Sequence, residues 1–198
     1  MNIIGVAGLP RSGKDSLADL YIESGYFGVS LGDIVREESR KRHKNQPDPI
    51  SVKNMTETSN YLRNKYGSDF ALKRALKKYK DANKLNKYLG LVVYSVRAPI
   101  EADFVLKNKG RLIWVEASDK VRFERSISAR RDGEPILSMA EMLLQEKLQE
   151  APQKYLSTEI QMNTKYVKKV ATDIFVNNGN DFKAFKTAAN KKFKLKKV

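Results

Sequence analysis

The chain has 198 residues, of which 41% are hydrophobic, and a formal net charge of +15, which together predict one domain with a core of ordinary size. The sequence contains no cysteine, which excludes disulfides and thiolate metal sites. It has no run of eighteen apolar residues, so we expect no transmembrane segment, no signal peptide and a cytoplasmic location.

The first predicted elements are a short apolar strand at residues 3–7 and an amphipathic helix that ends at Gly25. Between them lies Gly8-Leu9-Pro10-Arg11-Ser12-Gly13-Lys14, which has the pattern G-x-x-x-x-G-K. A loop in this context directs backbone N–H groups and the positive end of a helix at one point, and Lys14 adds a cation that reaches β- and γ-phosphates. The alternative is a Gly-rich turn that merely links strand and helix. The predicted nucleotide-binding residues are Gly8, Arg11, Ser12, Gly13, Lys14, Asp15 and Ser16.

Asp15 stands where such loops usually have the serine or threonine that binds Mg²⁺. A carboxylate is a hard oxygen ligand suited to Mg²⁺, so Asp15 is the predicted metal ligand, either directly or through water. Ser16 points about 100° further round the helix and is a poor substitute for that ligand. The geometry of the metal site therefore stays open.

Strand and helix alternate along the rest of the chain. Further strands are predicted at 26–31, 91–96, 112–115 and 174–176. Helices are predicted from Ile34 onward, at 51–65, at 68–80, from Pro99 to Lys109, from Asp119 to Arg130, from Ser138 to Glu150, and after Asn180. Residues 43–50 are predicted as a loop with a solvated His43, and the pattern of residues 151–170 favours no single assignment.

This alternation predicts an α/β fold in which helices cover both faces of a parallel sheet. Ligands of such sheets bind beyond the carboxyl ends of the strands. Asp33, Arg97 and Asn177 all follow predicted strands, so we expect them to share one rim with Lys14. Trp114 is most simply a core residue.

Basic residues are concentrated in two places. Residues 73–87 hold seven basic side chains against one acid, and residues 183–198 hold seven lysines and no acid. Such regions attract nucleotides, coenzymes or nucleic acid, and the plainer interpretation is a solvated lysine-rich surface.

Five short segments follow one another along the chain, and their order and spacing carry a family resemblance: Gly8–Lys14, Leu31–Glu38, Val96–Glu101, Val121–Arg125 and Ile174–Gly179. Together they resemble the P-loop kinases of nucleoside monophosphate kinase type, closest to the dephospho-coenzyme A kinase-like and archaeal adenylate-kinase-related branch. The resemblance covers residues 1 to about 185. It implies a three-layer P-loop NTPase fold with a five-stranded parallel sheet and helical NMP-binding and lid segments. It also implies one domain, 1–198, with an acceptor-binding segment at about 43–90, a lid at about 126–150 and a basic tail at 183–198.

The resemblance implies roles for particular residues. The implied catalytic residues are Lys14, Asp33, Arg97, Arg130 and Arg131. The implied acceptor-binding residues are Asp33, Arg36 and Arg97. Asp33 would orient or deprotonate the acceptor hydroxyl, and its alternative role is to cap the helix that follows it. Arg36 would bind the acceptor phosphate or else lie on a solvated helix face.

The same resemblance implies contacts to the donor nucleotide. Arg122 would stack on the purine base, and Asn177 and Asn178 would supply backbone groups to the adenine edge. Arg130 and Arg131 would close over the transferring phosphate as part of the lid. An ordinary basic helix and a plain strand–helix turn are the alternatives for these segments.

One departure from the family pattern concerns the metal. Relatives in this branch often have an aspartate at the end of the third strand, where this chain has Tyr94-Ser95. Either Asp15 and Glu116 compensate for it, or the protein binds nucleotide with little turnover. The Asp15 variant itself is similar to deoxynucleoside monophosphate kinases and to one class of phosphomevalonate kinase, which implies that phosphoryl transfer tolerates it.

Two functions follow from these observations. The first is ATP- and Mg²⁺-dependent phosphoryl transfer to a phosphorylated small-molecule acceptor, either a (d)NMP or a molecule of the dephospho-coenzyme A type. The second is a catalytically weak nucleotide-binding relative that holds nucleic acid or an acidic partner on its lysine-rich surface. The acceptor itself is not readable from residues 45–90.

Overall fold

Five short apolar segments form the strands, and most of the chain between them is helical. The computed structural model describes residues 1–128, 136–151, 157–158 and 161–196. Within these residues the strands are β1 (Ile3–Ala7), β2 (Phe27–Ser30), β3 (Leu91–Val96), β4 (Arg111–Glu116) and β5 (Asp173–Val176). The helices are α1 (Lys14–Glu23), α2 (Leu31–Arg42), α3 (Val52–Tyr66), α4 (Phe70–Leu85), α5 (Pro99–Lys107), α6 (Asp119–Ser128), α7 (Met139–Gln149), α8 (Thr164–Val170) and α9 (Phe182–Phe193).

The strands form one sheet in the order β2-β3-β1-β4-β5, and every neighbouring pair is parallel. Helices cover both faces, so the predicted three-layer α/β fold with a five-stranded parallel sheet is confirmed. Because all the strands run in one direction, the loops that follow them meet at one edge. This edge, the carboxyl edge of the sheet, carries the candidate site.

The sheet divides the core in two, because successive residues of each strand face opposite sides. On one side Ile3 and Trp114 pack with residues of α2, α3, α4, α5 and α8. On the other side Ile4 packs with Leu17 of α1 and Phe185 of α9. Trp114 is only 3% exposed, so its predicted place in the core is confirmed.

Strand β3 carries one extra residue opposite β1. Val6 pairs with Tyr94, whereas Ala7 pairs with Val96, so Ser95 forms a β-bulge. Ser95 has a φ of 62°, in the left-handed region that few residues other than glycine adopt. The bulge resets the alternation of β3, and Val96 thereby packs in the same core cluster as Ala7.

The start of α2 differs from the sequence prediction. The helix begins at Leu31, which was expected to end the second strand, because the hydroxyl of Ser30 accepts a hydrogen bond of 3.1 Å from the backbone N–H of Asp33. Ser30 is therefore the N-cap, and the alternative role of Asp33 as that cap is wrong. Residues 129–135, which include the predicted end of α6, lie outside the described residues. No helix in the described parts of the chain is both long and apolar enough to cross a bilayer.

His43 also differs from its prediction as a solvated residue, because it is only 9% exposed. Its Nδ1 lies 3.2 Å from Nε2 of Gln46, whose Oε1 accepts a 2.7 Å hydrogen bond from Asn54. Asn54 also donates to the backbone carbonyl of Asp48 at 2.8 Å. These hydrogen bonds hold the segment between α2 and α3 against the start of α3 and bury His43. The proline- and charge-rich composition of the segment gives no sign of this burial.

Gly5 offers a test of packing at the centre of β1. A Cβ atom there would lie 2.9 Å from Leu112 Cδ1 and 2.9 Å from Val105 Cγ2, so Gly5→Ala overpacks the core. We expect it to lower the free energy of unfolding by about 1–3 kcal/mol. Gly179→Ala is the control, because a Cβ atom at Gly179 meets nothing within 4 Å, and its effect should stay within about 0.5 kcal/mol. Urea denaturation measures both; equal effects would contradict the packing described here.

Candidate active site

The loop between β1 and α1 is built around two glycines with positive φ, Gly8 at 151° and Gly13 at 97°. A Cβ atom at Gly13 would lie 2.3 Å from Nδ2 of Asn177, so the backbone conformation and the available space both favour glycine. Gly13 is the N-cap of α1, and no side chain caps this helix. The first N–H groups of α1 are therefore available to a ligand, and the helix dipole favours an anion there.

A cavity of about 1550 Å³ opens beside this loop. The predicted site residues that line it are Arg11, Gly13, Lys14, Asp15, Ser16, Asp33, Arg36 and Arg97. The predicted residues outside its lining are Gly8, Ser12, Arg122, Asn177 and Asn178. Arg130 and Arg131 lie outside the described residues. The carboxyl edge thus brings Asp33 and Arg97 to the cavity that Lys14 lines, whereas Asn177 lies behind the loop.

Lys14 is the first residue of α1 and is 5% exposed. Its Nζ lies 3.6 Å from Oδ2 of Asp15, whose side chain is half-exposed. The ammonium is therefore held in the cavity wall beside a solvated carboxylate, where a polyphosphate could approach it.

Two carboxylates lie one turn apart on α1 at the cavity wall, Asp15 and Asp19. Burial raises the pKa of Asp19, and the charges of Asp15 and Glu23 raise it further. Burial also raises the pKa of Tyr94, and the carboxylates of Asp19 and Asp15 add to that shift. Tyr94 therefore stays a neutral phenol beside two acids.

The oxygen donors on α1 fit a magnesium ion that accompanies a polyphosphate. Mg²⁺ is usually held by one or two carboxylates, with phosphate oxygens and waters completing its shell, and Asp15 with Asp19 can supply that number. Glu116 does not compensate as predicted, because its carboxylate accepts from Trp114 Nε1 at 2.5 Å and lies 2.8 Å from Lys168 Nζ. Among the described residues, no group of three or more His, Cys, Asp or Glu side chains is arranged for a metal.

Asp33 and Arg36 form an ion pair on the first turns of α2, and both side chains line the cavity. The carboxylate of Asp33 is half-exposed, whereas the guanidinium of Arg36 is one-quarter exposed. The acid thus faces the open space, with a cation fixed beside it. This arrangement suits a group that orients an acceptor.

Arg63 of α3 lines the same cavity and was not found from the sequence. Burial lowers the pKa of Arg63 and of Arg97, and in both cases the carboxylate of Glu101 opposes the shift. Glu101 itself accepts backbone hydrogen bonds from Arg97 at 2.8 Å and Ala98 at 3.1 Å. Two partly buried guanidiniums therefore share one carboxylate that is already engaged, which leaves this part of the cavity positive. The helical spacing of residues 51–65 carries no signal that separates Arg63 from an ordinary surface arginine.

Arg122 does not stack on a purine base as predicted, because it is completely buried. Its guanidinium donates to Glu146 of α7 at 2.5 and 3.0 Å and to Asp119 at 2.7 Å. It also donates to the carbonyl of Pro10 at 3.3 Å. Arg122 therefore ties α7 and the phosphate-binding loop to α6.

Arg125, one turn further along α6, holds the back of the phosphate-binding loop. Its guanidinium donates to the carbonyls of Arg11 at 3.1 Å and Ser12 at 3.2 Å. It also donates to the carbonyls of Asn177 at 3.1 Å and Gly179 at 2.5 Å. The only sequence signal for this role is that the residue shares a helix face with Arg122.

The side chains of the two asparagines after β5 also form hydrogen bonds within the protein. Asn177 donates from Nδ2 to the carbonyl of Ser12 at 2.8 Å and is 9% exposed. Asn178 accepts a 2.8 Å hydrogen bond from the backbone N–H of Ser118. Their side chains therefore join the β5–α9 loop to the phosphate-binding loop and to the start of α6. The predicted contact of their backbone groups with adenine stays a prediction.

The parallel sheet and its phosphate-binding loop define the fold of the P-loop kinases. A solved structure of shikimate kinase from Bacteroides thetaiotaomicron has this fold, with a TM-score of 0.51 and 15% sequence identity over 98% of this chain and 97% of that chain. At this identity the likeness establishes the fold alone, and the predicted P-loop kinase fold is thereby confirmed.

The chain belongs to the UPF0200 family. It is 32% identical to the UPF0200 protein of Pyrobaculum aerophilum over 148 residues, which cover 74% of this chain and 76% of that protein. It is 33% identical to the UPF0200 protein of Methanococcus vannielii over 131 residues, which cover 66% of this chain and 67% of that protein. No protein-family model matches the sequence.

The role of Arg122 can be tested by removing its charge. Arg122→Met keeps a long side chain but leaves the carboxylate of Glu146 without its partner in a largely buried place, so we expect the free energy of unfolding to fall by about 3 kcal/mol. Adding Glu146→Leu should recover part of that loss. Lys120→Met, on the exposed face of the same helix, is the control and should have little effect. A loss no larger than that of the control would refute the structural role.

Proposed function

We propose that the protein is a kinase that transfers the γ-phosphate of ATP to a nucleotide-like acceptor. One observation carries the proposal: a single cavity is lined both by residues of the phosphate-binding loop and by Asp33 with Arg36, Arg63 and Arg97. Phosphoryl transfer requires alignment and charge stabilisation more than covalent chemistry, and these groups supply both. The P-loop kinase fold agrees with this function.

The donor side consists of the loop, the start of α1 and Lys14. The N–H groups at the start of α1 would donate hydrogen bonds to the phosphate oxygens of ATP, and the ammonium of Lys14 would reach the β- and γ-phosphates. Asp15 and Asp19 would hold Mg²⁺, which when bound neutralises part of the charge on the phosphate oxygens. The half-exposed position of Asp15 supports this role.

The acceptor side favours an anion with an apolar or planar body. Arg36, Arg63 and Arg97 attract a phosphate group, since guanidinium forks match phosphate geometry. Met55 and Phe70 line the same part of the cavity and provide apolar contact. A (d)NMP or a molecule of the dephospho-coenzyme A type has both features, which supports a place in the nucleoside monophosphate kinase-like branch.

In the transfer step an acceptor oxygen attacks the γ-phosphorus, a new P–O bond forms, and the bond to the β,γ-bridging oxygen breaks to release ADP. Asp33 would orient the acceptor and, where the acceptor is a hydroxyl, take its proton. The ion pair with Arg36 orients the Asp33 carboxylate. Lys14 would stabilise the charge that develops on the phosphate oxygens.

A second candidate is a nucleotide-binding protein with little turnover. The observations that favour it are Asp15 in place of the loop hydroxyl and Tyr94 in place of a metal-binding acid. This candidate expects ATP binding without ADP release for any acceptor. A nucleic acid or acidic partner for the lysine-rich surface stays a prediction.

Lys14→Ala tests the donor side. Loss of the ammonium should lower kcat/KM at least about 100-fold with ATP, Mg²⁺ and a panel of nucleoside monophosphates and dephospho-coenzyme A, because its charge stabilises the transferring phosphate. ADP release measures turnover, and calorimetry measures ATP binding separately. Lys120→Ala, an exposed lysine on α6, is the matched control. Turnover by the wild type that does not exceed the Lys14→Ala background, with ATP binding intact, would favour the second candidate.

Arg63→Met tests the acceptor side. Loss of one charge-assisted hydrogen bond should raise KM for the acceptor about 10- to 100-fold while KM for ATP changes little. Arg40→Met, at an exposed position of α2, is the control and should leave both constants unchanged. Equal changes in the two KM values would mean that Arg63 does not act on the acceptor.

A further inference from the structure

A second cavity, of about 650 Å³, lies at the opposite end of the sheet. It is bounded by the amino ends of β1 and β4 and by the last turns of α1 and α9, and we call it the amino-end cavity. Its buried floor is made by Ile4, Tyr21 and Phe193, each less than 8% exposed. Since β1 runs from this cavity to the phosphate-binding loop, the two sites are separated by the length of the strand.

The rim of the amino-end cavity is basic. Its charged lining residues are Lys109, Arg111, Lys194 and Lys196, and no carboxylate of the described residues lines it. Two nitrogens of Arg111 hold the carboxylate of Asp173 at 2.5 and 2.7 Å. Three lysines therefore face this space without a compensating charge among its lining residues.

The floor contains a hydroxyl that can donate a hydrogen bond to a ligand. Tyr21 is 3% exposed and lines the cavity, and its hydroxyl makes no hydrogen bond within the described part of the chain. Burial raises its pKa, so the hydroxyl keeps its proton. The neighbouring polar groups are engaged: Tyr26 accepts from Asn2 at 2.6 Å, and Ser24 donates to the carbonyl of Leu20 at 2.8 Å.

We propose that the amino-end cavity binds a small molecule with several phosphate groups. Lysines spaced round a concave rim attract a multiply charged anion, and the Tyr21 hydroxyl donates to one of its oxygens. A small ligand fits better than a nucleic acid strand because Tyr21 and Phe193 are buried and present no open ring face on which a base could stack. This site is separate from the proposed kinase site.

Calorimetry with inorganic tripolyphosphate tests the proposal in a Lys14→Ala background, which weakens binding at the phosphate-binding loop. We expect binding to persist there and to fall at least tenfold when Lys109→Gln, Lys194→Gln and Lys196→Gln are added together. Tyr21→Phe removes only the hydroxyl and should weaken binding about fivefold, the equivalent of one hydrogen bond. Circular dichroism checks that each variant is folded.

A matched control removes the same charge elsewhere. Lys77, Lys80 and Lys120 are exposed and lie outside the amino-end cavity, and their joint replacement by Gln should change the affinity less than twofold. Equal losses in the two triple variants would overturn the proposal, because binding would then reflect net charge alone. Unchanged affinity in the cavity variants would overturn it as well.

A uridine oligonucleotide of twenty nucleotides tests whether the cavity binds a nucleic acid instead. Under the proposal it competes weakly with tripolyphosphate, and its own binding does not depend on the three cavity lysines. If its binding needs those lysines while that of tripolyphosphate does not, the small-ligand proposal is wrong and the cavity serves a nucleic acid backbone.

Discussion

The backbone carbonyls of the phosphate-binding loop are the constraint on which the site depends. Each residue of the loop brings a C=O and, except for Pro10, an N–H, and every buried polar group needs a partner. Arg125 binds the carbonyls of Arg11 and Ser12 from behind, and Asn177 also donates to Ser12. With the carbonyls engaged in this way, the N–H groups at the start of α1 remain for an anion. The conformation of the phosphate-binding loop therefore depends on α6 and on the β5–α9 loop as much as on its own glycines.

The large cavity carries side chains of both charges. Asp15 and Asp19 suit a cation that accompanies a polyphosphate, whereas Arg63 and Arg97 suit an anion. Burial disfavours the charged forms of Arg63 and Arg97, and the engaged carboxylate of Glu101 offsets only part of that cost. A phosphate group on the acceptor would compensate the rest of that cost. The proposed ligand and the charges of this part of the cavity are therefore complementary.

Local patterns predicted much of this fold and only part of its site. The strands and the phosphate-binding loop follow from apolar runs and glycine spacing, which are properties of neighbouring residues. Arg63 was missed and His43 was misassigned because their environments are made by residues distant in sequence. Arg122 and Arg125 lie three residues apart on one helix face, and the pattern does not reveal which guanidinium is directed into the interior and which supports the loop.

Because of the bulge at Ser95, β3 contributes both to the hydrophobic core and to the candidate site. In a regular strand Tyr94 and Val96 would face the same side, but the additional residue shifts the phase by one position. Val96 can then remain a buried hydrophobic residue while Arg97 emerges at the cavity one step later. Without the bulge Ser95 would pair with Ala7, and Val96 would face the same side as Tyr94 instead of packing with Ala7. A local irregularity of the backbone thus lets one strand end in two different chemical environments.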